Sequence, residues 1–171
     1  MENTSLISKD IFSKFNDYLD SEQVLREQIR DIVREIDQSA KEAVLELQVI
    51  HSEISGTRIS HACSAARKCF ESSRLSFLKL AELIPEGQYY RFCDHWNFVT
   101  QRLVFLIGLV IYLEKNFLVS RETCAEILGM TSNQALGFHL DIENYLMGIL
   151  QMASELSRFA TNSVTMGDYE R

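Results

Sequence analysis

Apolar positions in this chain recur at spacings of three and four, the mark of amphipathic helices. Residues 9–19 place Ile11, Phe12, Phe15, Tyr18 and Leu19 on one face and predict a short helix. Asp20 and Ser21 then read as a cap, with Gln23 three residues after Asp20. Over 21–52 the seam Leu25, Ile29, Ile32, Ile36, Ala40, Ala43, Leu47 and Ile50 predicts one long helix. Ser55-Gly56-Thr57 breaks the pattern, and a second long helix is predicted over 58–83, ended by the turn Pro85-Glu86-Gly87. A third is predicted over 88–117 as one continuous element. Its second half, Leu103 to Leu113, carries no charge. That run is shorter than the ~20 residues a bilayer span takes, so it predicts a buried core helix. Ser120 caps a short helix, RETCAEIL, which Gly129 stops in the left-handed conformation. After a loop at Thr131–Gln134, a last helix runs from Asp141 to about Val164. It turns Ile142, Tyr145, Leu146, Ile149, Met152, Ala153, Leu156, Phe159 and Ala160 inward.

Composition agrees with this pattern. One Pro and seven Gly in 171 residues leave few places for helices to break. No linker, low-complexity segment or internal repeat divides the chain. The expectation is an all-α fold, a bundle of long antiparallel helices forming a single domain over 1–171. Apolar seams this long exceed what one small bundle can cover, which predicts self-association.

Charge complicates any reading of function. The net charge of −7 does not favour a polyanionic partner. Yet Arg58, Arg67, Lys68, Arg74 and Lys79 stand against Glu71 alone between residues 58 and 79. On the first long helix, Arg26, Arg30 and Arg34 form one row and Glu27, Asp31 and Glu35 another. These rows are either a solvated face braced by ion pairs or an arginine ridge facing a ligand or a neighbouring subunit.

The stretch QYYRFCDHWNFVTQ, Gln88–Gln101, carries the most chemistry. On a continuous helix Arg91, His95, Phe98 and Arg102 share one stripe, with Tyr89, Tyr90, Phe92 and Trp96 around it. Such a stripe can grip a single-stranded nucleic acid by stacking and phosphate contact, or it can be the edge of a core. Trp96 serves either packing or contact.

Other chemistry is sparse. The sequence has no Walker loop, G-x-S-x-G, H-E-x-x-H or EF-hand loop. Cys63, Cys69, Cys93 and Cys124 form no C-x-x-C pair and do not combine with the four His at zinc-finger spacing. Reduced thiols fit a cytoplasmic and nuclear location. Among acids, Glu155 is the weak catalytic candidate, because its neighbours on the helix face a core. Its spacing to Arg158 equally predicts a salt bridge.

These residues resemble the translin family. The resemblance is carried by Gln88–Phe92, His95-Trp96, Phe98-Val99 and Gln101–Leu106. It continues through Glu126–Gly129, Gly137–Asp141, Tyr145-Leu146, Ala153–Arg158, Asn162–Thr165 and Gly167–Tyr169. It implies an all-α protein that binds single-stranded DNA and RNA inside a ring or barrel oligomer, typically an octamer. Such symmetry can focus a few arginine rows of an acidic chain into one basic lumen. It further implies a partner, translin-associated factor X, with which the family forms an endoribonuclease complex that clears passenger-strand fragments in RNA interference.

Carried over by residue, nucleic-acid contact is expected at Arg91, Phe92, His95, Trp96, Arg102, Arg67 and Lys68, with Arg26, Arg30 and Arg34 as the ridge. The catalytic carboxylates and their Mg²⁺ belong to the partner. Their positions align here with Arg102, Phe105, Gln151 and Glu155, a single acid, so no metal is expected in this chain and it is not expected to be catalytic alone. Cys93, Asp94 and Asn97 stand where the family commonly has His, Glu and Arg. His61, Ala62 and Ala65 stand at positions that are commonly basic. The family also continues past the Gly-Asp-Tyr, which implies a C-terminally shortened chain. The alternatives are a metal-dependent endoribonuclease in its own right and a purely structural helical scaffold.

Overall fold

A computed structural model of the chain describes residues 2–51, 56–165 and 167, with side chains described from residue 12 onward. It is all-α. The helices are α1 (Glu2–Leu47), α2 (Gly56–Leu83), α3 (Tyr89–Phe92), α4 (Asn97–Lys115), α5 (Arg121–Leu128) and α6 (Ile142–Thr165). Short 3₁₀ turns stand at Gln48–His51, Cys93–His95 and Gln134–Leu136.

Two sequence-based boundaries change. The expected cap at Asp20 and Ser21 does not form, and α1 passes through it unbroken. The Ser21 hydroxyl donates back to the Tyr18 carbonyl at 2.7 Å, a bond made inside a helix. On the aromatic face before it, Phe12, Phe15, Tyr18 and Leu19 are exposed, and the Ile11 side chain lies outside the described residues. The second change is the split of the expected 88–117 helix into α3, a 3₁₀ turn and α4. The other ends agree with the sequence reading. Ser120 Oγ accepts from Thr123 N, Gly129 (φ 71°) terminates α5, and Gly87 (φ 74°) makes the turn after Pro85. α2 begins at Gly56, while Ser55 of the expected break lies outside the described residues.

Side-chain pairing gives the helix directions. Ser39 meets Ser72, and Glu35 meets Ser76 and Lys79, so α1 and α2 are antiparallel. Going up α4, Arg102 meets Asp37 while Arg91, before it, meets Glu22, so α1 and α4 run the same way. Asn97 bonds Asn144, and Gly108 abuts Met152, so α6 also runs with α4. The antiparallel expectation therefore holds for the α1–α2 hairpin. It does not hold for α4 and α6, because α5 and the loop after it carry the chain back to the end where α4 began.

The α1 seam is buried or half-buried from Leu25 to Ile50, as its spacing predicts. α4 is the core helix: ten of its residues, Val99 to Ile111, are buried. By length and apolar content alone it could cross a membrane, but here its apolar surface is spent on the bundle. α6 covers less than expected. It seals against α4 through Asn144, Gly148 and Met152 with Tyr145, Ile149, Leu156 and Phe159, whereas Ile142, Leu146, Ala153 and Ala160 are exposed. One neighbouring helix can cover only one face of it.

Gly148 sets the α4–α6 approach. A Cβ there would stand 2.7 Å from Val104 Cβ and 2.8 Å from the Gln101 backbone oxygen. At Gly108 a Cβ would meet the Met152 sulfur at 2.8 Å, the movable part of a flexible side chain. Gly148→Ala is expected to destabilise the chain by about 1–3 kcal/mol in urea unfolding, and Gly108→Ala by less.

Candidate nucleic-acid interface

The site begins with the break in the third helix. Phe92 (φ −118°, ψ −9°) and Trp96 (φ −117°, ψ −5°) flank the 3₁₀ turn with dihedrals well off the ideal helical pair. They are also both wholly buried, at 0% exposure. Trp96 packs edge-on to Tyr89 with ring centroids 5.5 Å apart and against Phe138 at 5.3 Å. Tyr89 stacks on His139 at 4.2 Å and donates its hydroxyl to the His139 carbonyl at 2.9 Å. A continuous helix would put Phe92 and Trp96 one turn apart on one face. The 3₁₀ turn instead aims the indole at the loop before α6 while Phe92 remains on α1.

That break corrects two expected contacts. Phe92 and Trp96 have no ring face open to a base, because both are packed inside the bundle. The single stripe through Arg91, His95, Phe98 and Arg102 is also bent, since 3₁₀ and α turns advance by different angles. What the bend achieves is to lay Arg91, His95 and Arg102 in order along the flank of α1.

At one end, Glu22 bridges two arginines. Its Oε1 accepts from Arg26 Nη2 at 2.9 Å and its Oε2 forms an ion pair with Arg91 Nη2 at 2.9 Å. Both guanidinium carbons lie 5.3 Å from the Phe92 ring centre, so the ring lies in contact with two cations. Arg91 also donates to the Tyr18 hydroxyl at 2.9 Å. One turn on, His95 is half-buried beside Arg26 and Arg30. Burial first, then those two charges, push its pKa below the usual histidine value, and Asp94 opposes them only in part. Arg30 is exposed and has no carboxylate partner among the described residues.

At the other end, Asp37 bridges Arg102 Nη1 at 2.5 Å and Lys41 Nζ at 2.7 Å. The Arg102 guanidinium lies 4.7 Å over the ring of Phe98, which is 62% exposed. The strip thus holds Arg26, Arg30, Arg91, Arg102 and Lys41 against Glu22, Asp37 and Asp94, in a chain that is acidic overall. Its open rings are Tyr18 and Phe98. In the sequence Glu22 stands one turn before the arginine row and Tyr18 on the apolar face of 9–19, neither marked as a site residue, and Asp37 is not singled out at all. The signal available was the i,i+4 ladder Tyr18, Glu22, Arg26, Arg30.

The remaining candidates lie elsewhere. Arg34 pairs with Asp31 on the solvent side of α1. Arg67 pairs with Glu114 near the end of α4. Lys68, beside it, is exposed. The α1–α2 register places both lysine and arginine opposite residues near 44, about 20 Å along α1 from Arg30. Arg67 is also drawn to Glu114, twelve residues and about 18 Å beyond Arg102 along α4, so its guanidinium lies off the strip.

Glu155 is locked. One of its oxygens pairs with Arg158 and with His51 Nε2, and His51 Nδ1 faces the Asn162 amide at 3.1 Å. Burial pushes the Glu155 carboxyl up, but the bonds and charges of Arg158 and His51 outweigh it and hold the group below the usual range. The predicted Glu155–Arg158 salt bridge is present within α6, and His51, in the 3₁₀ turn after α1, ties that turn to both residues. Among the described residues no three His, Cys, Asp or Glu side chains cluster as metal ligands. The four cysteines are free, and burial raises Cys63 to about 11 and Cys124 to about 12, so neither is a thiolate at neutral pH.

The fold and strip define a class: an all-α bundle carrying a cationic, aromatic flank on its longest helix. The sequence profile of the Translin family matches residues 24–171. Translin from Homo sapiens is 46% identical over 162 residues, covering 95% of this chain and 71% of that protein. Translin from Mus musculus matches to the same extent. Translin from Gallus gallus is 48% identical over 153 residues, covering 90% of this chain and 67% of that protein. The chain belongs to the translin family.

His95 provides a test of the site's electrostatics. By NMR titration its pKa is expected below about 6.5, and Arg26→Ala is expected to restore only part of the difference, because burial is the larger cause. A depressed histidine favours the folded state only while neutral. Its contribution is therefore present above the unfolded pKa and lost as pH falls through the folded value. His95→Gln should remove that share of the acid-side loss of stability.

Proposed function

We propose that this chain is a single-stranded nucleic-acid-binding subunit that works within an oligomer. Family membership supports nucleic-acid binding. The observation that carries the reading is the strip itself: Arg26, Arg30, Arg91 and Arg102 are lined up with His95 along one flank, beside the open rings of Tyr18 and Phe98. Guanidinium groups contact phosphates whatever the sequence, and exposed rings stack on unpaired bases. Arg67 and Lys68 belong to a second basic segment, with Arg67 paired to Glu114 off the strip. In this reading they act across an interface. The exposed apolar faces of α6 and of the start of α1 support assembly.

The finer part of the reading follows the family resemblance. The chain is the non-catalytic member of a complex with translin-associated factor X, whose carboxylates would hold Mg²⁺ and cut RNA during RNA interference. Glu155, locked by Arg158 and His51, supports a structural role on this side of the complex.

In a mobility-shift assay with single-stranded RNA, Arg26→Ala/Arg30→Ala is expected to weaken binding and to reduce the salt slope by about 0.7 for each phosphate left unneutralised. Phe98→Ala should weaken it about tenfold or more, with little change in stability. Unchanged affinity in both at matched salt would remove the strip from the binding surface. Added partner with Mg²⁺ should produce cleavage that Glu155→Ala in this chain leaves intact.

A further inference from the structure

Glu22 and Asp37 stand out because they occupy the cations that a nucleic acid would need. Each carboxylate uses both oxygens, and each oxygen meets a different cation: Glu22 holds Arg26 and Arg91, and Asp37 holds Arg102 and Lys41. A carboxylate bridging two cations mimics a phosphate bridging them. The two bridges lie about 22 Å apart along α1, with Arg30 and His95 between them. Glu22 is 14% exposed and Asp37 30%, so the pairs are weakened by water less than ordinary surface pairs.

We propose that Glu22 and Asp37 are built-in competitors of the strand, setting how tightly this surface holds phosphate. The proposal rests on the strand-binding reading of the same strip. In the unliganded chain the two carboxylates keep four cations oriented and offset half of their charge, and Arg30 is the cation left for first contact. A bound phosphate must share or displace the carboxylate at each bridge. Affinity is thereby kept below what the count of arginines would give, and the strand stays releasable.

The opposite role is that the carboxylates merely position the arginines. The two predict opposite signs. Glu22→Gln and Asp37→Asn keep shape and remove charge, and Glu27→Gln, on an exposed position of α1 outside the strip, changes net charge equally. Binding of a fluorescein-labelled oligouridylate to the 171-residue chain is followed by anisotropy from low to physiological salt. Glu22→Gln and Asp37→Asn are each expected to tighten binding about threefold to tenfold at low salt. Their salt slopes should steepen by about 0.7 for each further phosphate neutralised, and the double variant should bind tightest. Glu27→Gln should stay within about twofold of the parent.

Equal or weaker binding by both strip variants would overturn the proposal, as would equal tightening by Glu27→Gln. The parent chain separates this from the reading beneath it. If it binds and Arg26→Ala/Arg30→Ala weakens it, the strand-binding reading stands whatever the strip variants do. If the folded parent does not bind, both fall. Thermal melting is run alongside, and should Glu22→Gln fail to fold, Asp37→Asn decides the sign alone.

Discussion

The seat of Trp96 is the constraint on which the rest depends. The indole is the largest wholly buried side chain, and it is held between Tyr89, Phe138 and the loop that leads into α6. Its position fixes where α4 starts, and so which residues of α4 face α1 and which face α6. Asn97 and Gln101 turn to Asn144 of α6, and Arg102 turns to Asp37 of α1. Shifting that start by one residue would rotate α4 by about 100° and dissolve both seams at once. The strip is therefore a consequence of a core contact. The basic residues reach the flank of α1 because an aromatic ring beneath them has a fixed seat.

α1 supplies the other half of the arrangement. An unbroken helix keeps Tyr18, Glu22, Arg26 and Arg30 in register at one turn each, so the spacing of charges along the strip is as regular as the helix itself. A break at Ser21 would have swung Tyr18 away from Arg91. The hydroxyl that looked like a cap instead bonds inside the helix and leaves it continuous.

Much of the fold could be read from residue patterns, for reasons that are local. Ser120, Gly129 and Pro85-Glu86-Gly87 each act on their immediate backbone, and the seam from Leu25 to Ile50 is strictly periodic. Two things were not legible. The split at Phe92 and Trp96 has no Pro or Gly to announce it; it is imposed by rings on Phe138 and His139, more than forty residues away. The second was which aromatic rings stay open. Phe98 and Trp96 are two residues apart and equally apolar, yet one is exposed and the other buried. Only the turn between them decides it. The arginines, the histidine and Phe98 on the stripe were thus visible in the sequence, whereas the burial of Phe92 was not and that of Trp96 was left open there. The carboxylates that hold the arginines were passed over as ordinary helix charges.

An acidic chain with a cationic strip raises a question of range. The charge of −7 repels a polyanion only as far as its field extends, and at physiological salt that is about 8 Å. Of the acidic row, Asp31 and Glu35 turn away from the strip, and Glu27 stands one turn before Arg30. A helix with its side chains is about 10–12 Å across, so Asp31 and Glu35 stand about a screening length or more from a strand on the strip. Glu22, Asp37 and Asp94 stand within it. The total charge then has little say in phosphate contact, and the few carboxylates inside the strip have a great deal. Low salt reverses the weighting, because the screening length grows to about 30 Å at 0.01 M and the whole acidic surface is felt. A second subunit that adds its own cations within the same short range would raise the local balance without altering the sign of either chain. This is the physical sense in which assembly and binding are linked here.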